Sequence, residues 1–235
     1  MNNIKMSLSS HISELKHRLV IVIIFAILSF IGGYLFSSDI LTIFISNSPT
    51  DFIYANITEG FITSLTISLF VSAVLTLPIF MYQMAKFILP ALKSSGYSIY
   101  KWLLSSYILF IIGSLLSYYI LLPLVLSFLT GFNSNIDITL LPSVYHYIKI
   151  ALKFMIVFGL VFQLPLYILI LGKLGIIDRQ FLRRHRRTAI IVGIIAGALL
   201  SPPDVISQLL IGGTIYLLYE ISLYLVPERK TTEEI

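Results

Sequence analysis

Few side chains in this chain could do chemistry, and most of those that could sit at helical spacings. His11, Glu14 and Arg18 recur three and four residues apart on one helix face, beside Lys16. Two readings fit that pattern. One is an i,i+4 pair between Glu14 and Arg18, worth about 0.3–0.5 kcal/mol. The other is an acid presented at a surface to receive a cationic ligand, and periodicity does not choose between them. Further on, Ser201-Pro202-Pro203-Asp204 reads as a helix start with Ser201 as N-cap, Pro202 in the first turn and Asp204 completing an S-x-x-D cap. Gln208 follows one turn later on the same face, and two readings stand side by side: a capped helix end alone, or an amide and a carboxylate together forming a docking point for another helix. Gln163 lies inside an apolar run next to Leu164-Pro165, where it either bonds a neighbouring helix or lines a polar groove. Glu220 falls about 24 Å beyond the helix start at Asp204, which places it near the membrane edge.

Much chemistry is excluded. With no cysteine there is no disulfide, thiolate metal site or cysteine nucleophile. His11, His17, His185 and His146 all fall outside the apolar runs, so an intramembrane protease built on a histidine base or metal ligands is disfavoured. No zinc motif, nucleophile elbow or phosphate loop is present, and no metal or other cofactor is expected. Gly212-Gly213 suggests close helix packing alone.

The elements that must carry these residues are membrane spans. Six uncharged stretches run Leu19–Ser38, Gly60–Ala85, Trp102–Ile136, Phe154–Gly172, Thr188–Pro203 and Val205–Tyr219. Crossing a hydrocarbon core of roughly 30 Å takes about 20 apolar residues in a helix, which satisfies its own backbone there. The composition agrees, at 57% hydrophobic and 11% charged, with a mean hydropathy of +0.95. The expectation is an all-α polytopic protein with six transmembrane helices in one membrane domain, 1–235. Residues 1–18 form an N-terminal segment, 19–226 the six-helix bundle and 227–235 a polar tail.

Of the 16 Lys and Arg residues, 14 fall on one side of such a map, and only Lys149 and Lys153 fall on the other. The positive-inside rule then puts both termini in the cytoplasm, matrix or stroma. The net charge of +5 therefore reports orientation and not nucleic-acid binding. The third stretch is longer than a bilayer, so its outer part, from about Leu121 through Pro123 to Asn135, is expected to project as a loop or a kinked helix end. The fifth is short, with about 14 residues between Arg187 and Ser201, roughly 21 Å.

Several motifs together resemble the TatC family, the polytopic subunit of the twin-arginine protein translocase. They are H-x-x-E-L-x-x-R-L at 11–19, Thr58-Glu59-Gly60-Phe61, the stretch from Pro78 through Tyr82-Gln83 to Phe87-Ile88-Leu89-Pro90-Ala91-Leu92, and Phe158-Gly159 with Phe162-Gln163-Leu164-Pro165. Ser201-Pro202-Pro203-Asp204 with Ser207-Gln208 and Leu218-Tyr219-Glu220 completes the set, in family order across almost the whole chain. The resemblance implies a concave bundle with short fifth and sixth helices, and a receptor rather than a catalyst. It implies binding of twin-arginine signal peptides on folded cargo, single-span partners of the TatA and TatB type, homo-oligomers within a translocase complex, and driving by the protonmotive force.

By the same resemblance, Glu14 matches the N-terminal acid of the signal-peptide site, which His11, Lys16, Arg18, Pro90 and Leu92 would shape. Lys16 stands where the family usually has arginine. Gln163, Asp204, Gln208 and Glu220 correspond to partner-helix or polar-groove positions. Two departures stand out. The second acid expected after Pro-x-Leu is missing, because the run is Lys93-Ser94-Ser95-Gly96-Tyr97, with Gly96 at the aligned position. Glu14 is then expected to dominate, helped by Asp178. Gln163 replaces a glutamate common in relatives, which leaves the groove neutral. The Ser-Pro-Pro-Asp and Phe-Gln-Leu-Pro motifs favour a mitochondrial inner membrane over a bacterial cytoplasmic or thylakoid one. The competing class is a secondary transporter or ion-conducting respiratory subunit, which would keep an ionisable residue near mid-membrane, and none of the six stretches does.

Overall fold

The computed structural model describes residues 8–46, 51–88, 99–131, 142–173, 175–200 and 205–226, and side chains there except at 8–15, 84–88, 99–100 and 128–131. Nearly all of it is helix, as the apolar stretches require. Among the described residues, five helical segments are long and apolar enough to cross a membrane: Lys16–Leu35, Glu59–Gln83, Lys101–Ser127, Val144–Lys173 and Val205–Leu225. The expected short fifth span is the 15-residue helix Arg186–Leu200, about 22 Å long. The chain separates into two compact units, one formed by Met1–Leu103 with Leu141–Lys149 and the other by Leu104–Leu140 with Ile150–Ile235.

The first unit contains α1 (Leu8–Leu35), α2 (Ser37–Ser46) and α3 (Glu59–Ile88). Small residues set how closely α1 and α3 approach. A Cβ on Gly33 would lie 3.0 Å from the Val71 side chain and 3.2 Å from the Ser68 backbone. The Ser72 hydroxyl donates across the seam to the Ala26 carbonyl at 2.7 Å. Thr63 and Ser68 return their hydroxyls to carbonyls one turn back, which lets polar side chains be buried without a partner helix. The outward face of α1 is apolar, with Ile24, Ile27, Leu28 and Ile31 all exposed, as suits lipid contact.

The second unit begins in α4 (Ile99–Leu116), which continues through a π turn at Ser117–Leu121 into α5 (Leu122–Gly131). The cause is Pro123. Its ring has no N–H and crowds the carbonyl four residues back, so the chain widens and the Leu122 N–H donates to the Ser117 carbonyl instead. The outer part of the third stretch is thus a helix through Gly131, and residues 132–135 lie outside the described set. The next span divides into α6 (Val144–Val161) and α7 (Leu164–Lys173), broken at Phe162-Gln163 just before Pro165. A Schellman motif closes α7. Gly175, at φ 71°, donates to the Gly172 carbonyl, and the Ile176 N–H donates to the Leu171 carbonyl, both at 3.0 Å.

Short α8 (Arg179–Arg184) leads into α9 (Arg186–Leu200) and then α10 (Val205–Leu225). Backbone meets backbone between α9 and α10. A Cβ on Gly193 or Gly212 would lie 3.0 Å from the other residue's carbonyl oxygen, and one on Gly197 only 2.5 Å from that of Gln208. Gly193 and Gly197 form a G-x-x-x-G pattern. Gly213, on the other side of α10, has nothing within 4 Å. Gly197→Ala is therefore expected to destabilise the purified chain by about 1–3 kcal/mol, and Gly213→Ala by less than about 0.5 kcal/mol, in denaturant titrations in detergent.

Candidate functional site

Helix α1 is continuous through residues 11, 14 and 18, so the N-terminal spacing is realised on a helical backbone, with Glu14 about 6 Å along the axis from Arg18. Lys16 is exposed and Arg18 half-buried. The Arg18 guanidinium, through Nη1, donates to Gln83 Oε1 at 3.4 Å and to the Gln83 carbonyl at 3.5 Å. That contact ties the polar start of α1 to the last turns of α3, joining two motifs distant in sequence. The side chains of His11 and Glu14 lie outside the described residues, as do Pro90, Leu92 and the run from Lys93 to Tyr97. Gln83 was quoted in the sequence as part of a motif without a role, and its partner is visible only in the fold.

Gln163 resolves one ambiguity. It is 1% exposed, and its carbonyl oxygen accepts from the Ser106 hydroxyl. Its NH₂ group donates to the Ser106 carbonyl at 2.9 Å and the Gly159 carbonyl at 3.4 Å. The amide therefore binds the α6–α7 break to α4 and does not line an open groove. Glycine makes the approach possible. A Cβ on Gly113 would lie 2.6 Å from the Phe158 carbonyl oxygen, and one on Gly159 would lie 2.5 Å from the Phe110 ring.

Glu220 is also bound within the chain. It pairs with Arg186 at 2.9 Å and accepts from the Tyr216 hydroxyl at 2.9 Å, with its side chain 22% exposed. An acid expected near the membrane edge is thus one half of an ion pair joining the start of α9 to α10. Gln208 Nε2 donates to the Ile194 carbonyl at 3.4 Å. Asp204 and the rest of the Ser201–Asp204 turn fall outside the described residues. Asp178 is the N-cap of α8, accepting from the Phe181 N–H at 2.6 Å, so its carboxylate has a structural task.

Among the described residues the most densely bonded acid was quoted in the sequence only as part of a family motif, without a role. Glu59, at the start of α3, is 4% exposed. It reaches back to the N–H groups of Ala55 and Asn56, and across to the Tyr145 N–H at 2.8 Å and the Ser143 hydroxyl. Three backbone donors require an acceptor, which an ionised carboxylate supplies. Beside it, Ile53 and Ser143 form an isolated parallel bridge, with the Ile53 N–H on the Pro142 carbonyl and the Val144 N–H on that of Ile53. Ser143 also contacts His146 Nδ1 at 3.0 Å. Glu59 thus locks the loop before α3 to the start of α6. The available signal was an acid opening an apolar run, and its partners lie more than 80 residues away.

These features define a multi-pass helical membrane protein whose polar side chains hold helices and loops together. The chain belongs to the TatC family of Sec-independent protein translocase proteins, whose family model matches residues 10–213. It is 34% identical to the Sec-independent protein translocase protein TatC of Magnetococcus marinus, over 98% of this chain and 88% of that one. To TatC of Aquifex aeolicus it is 34% identical over 94% of each. A crystal structure of the twin arginine translocase receptor TatC in DDM superposes with a TM-score of 0.79 at 34% identity, covering 92% of this chain and 99% of the other. These relatives are bacterial, and nothing in them favours the mitochondrial membrane expected from the sequence.

Glu59→Gln would turn an amide donor toward groups that are themselves donors. It is expected to lower the melting temperature in detergent and to expose the segment from Asp51 to Thr58 to protease, and unchanged digestion would remove the locking role.

Proposed function

We propose that this chain is the signal-peptide receptor and assembly platform of a twin-arginine translocase, exporting folded proteins across an energised membrane at the expense of the protonmotive force. The observation that carries the reading is the likeness, over nine-tenths of the chain, to a structure described as the twin arginine translocase receptor. The bacterial origin of the relatives supports the cytoplasmic membrane as its place. A reading of six spans in a single functional domain, with both termini in the cytoplasm, is supported by the five long helices, the shorter α9 and the one-sided distribution of basic residues.

In this reading Glu14 meets a guanidinium of the signal peptide through short charge-assisted bonds of fixed geometry. His11, Lys16, Arg18, Pro90 and Leu92 shape the surface around it. The Arg18–Gln83 contact supports this by anchoring the helix that carries Glu14. With Gly96 in place of a second acid, discrimination between Arg-Arg and Lys-Lys signals is relaxed. Gln208 and Asp204 form the contact for TatA- or TatB-type single-span helices, and copies of the chain assemble within the complex. The role is that of a receptor, not a catalyst. The transporter reading draws no support from Gln163, which is neutral and fully bonded.

Glu14→Gln is expected to reduce photocrosslinking of this chain to an Arg-Arg signal peptide that carries the photoprobe beside its arginines about tenfold or more, the loss expected for a charge-assisted pair. Crosslinking at the wild-type level would take that role from Glu14. Gln208→Leu is expected to lower co-purification of the single-span partner while leaving membrane insertion of this chain unchanged, and equal recovery of the partner would count against the contact.

A further inference from the structure

Residues 173–187 carry six cations, Lys173, Arg179, Arg183, Arg184, Arg186 and Arg187, against a single acid, Asp178. Asp178 caps α8, and the nearby Glu220 is paired with Arg186. Arg183, Arg184 and Arg187 are exposed. Beside them Ile176 and Phe181 are 65% and 48% exposed, apolar side chains on a strongly cationic segment. The back of α8 is fixed to α10, since Leu182 packs with Leu223 and Val226 and the Tyr219 hydroxyl donates to the Leu182 carbonyl at 2.7 Å. The Arg179 guanidinium sits 5.6 Å over the Tyr224 ring. All of this lies at the ends of two membrane spans, which finish at Lys173 and Leu225. A rigid basic surface with exposed apolar side chains and tyrosines at a membrane edge combines the features that bind acidic lipid headgroups.

We propose that α8 and the first turn of α9 form a binding surface for the phosphodiester headgroups of anionic phospholipids, with Arg183, Arg184 and Arg187 contacting phosphate and Phe181 and Ile176 entering the adjoining acyl region. A cationic signal peptide is excluded as the occupant by the sign of the charge. The surface shares none of the residues proposed to contact the signal peptide, so either proposal can fail without the other.

The test is native mass spectrometry of the full chain in detergent, titrated with phosphatidylglycerol, phosphatidylcholine or sodium phosphate. Wild type is expected to retain phosphatidylglycerol in preference to phosphatidylcholine. The triple variant Arg183→Gln/Arg184→Gln/Arg187→Gln should lose that affinity on the order of 100-fold, and the matching triple lysine variant should keep most of it. Equal retention of the two lipids, or undiminished retention of phosphatidylglycerol by the glutamine variant, overturns the proposal. Inorganic phosphate displacing phosphatidylglycerol at equal concentration would mark a simple anion site and overturns it too. Should the glutamine variant not fold, the wild-type preference for phosphatidylglycerol is measured in nanodiscs at low salt and at about 0.5 M salt, where screening is strong. Loss of the preference at high salt supports the proposal, and a salt-independent preference overturns it.

Discussion

A chain that crosses hydrocarbon has no water to satisfy its backbone, so each span must be helical and must bond to itself. Lipid is as apolar as leucine, and helices of this composition gain little from hiding apolar side chains from it. Close approach and scarce polar contacts must then decide which helices pair. Both units are built that way. Gly33 and Ser72 bring α1 against α3, Gly113 and Gly159 bring α4 against α6, and Gly193, Gly197 and Gly212 bring α9 against α10. Large aliphatic side chains, by contrast, are widely exposed.

The polar residues within spans follow the same logic. Gln163 bonds at both ends of its amide, Ser114 donates to the Met155 carbonyl, and Glu220 is held by Arg186 and Tyr216. Each joins two segments at a cost that hydrocarbon would make large if the partner were absent. A side chain so engaged is a poor carrier of protons or ions. Beyond the apolar runs, the beginning of α1 is tied to the end of α3 through Arg18 and Gln83.

At the opposite end of the first unit, Glu59 does for loops what the glycines do for helices. Loop backbone cannot satisfy itself, and one buried carboxylate collects donors from residues 55, 56, 143 and 145. The arrangement explains how an otherwise apolar chain accommodates a nearly inaccessible acid.

Much of this was legible in the residues alone. The apolar runs and their basic boundaries defined helical spans, because hydropathy over about 20 residues is a local property and the bilayer imposes a fixed length. The short fifth span and the interruption near Pro123 were readable for the same reason. The motifs pointed to the family before any coordinate did. Partners were not readable. Whether Gln163 was glue or groove, that Glu220 had a cation to hold, that Gln83 met Arg18 and that Glu59 joined residues on α6 all depended on segments far apart in the chain. The G-x-x-x-G pattern of α9 was present in the letters but acquired meaning only when α10 lay across it. Periodicity assigns a face to each residue. What that face meets is decided by how helices cross, and that depends on contacts no single segment encodes.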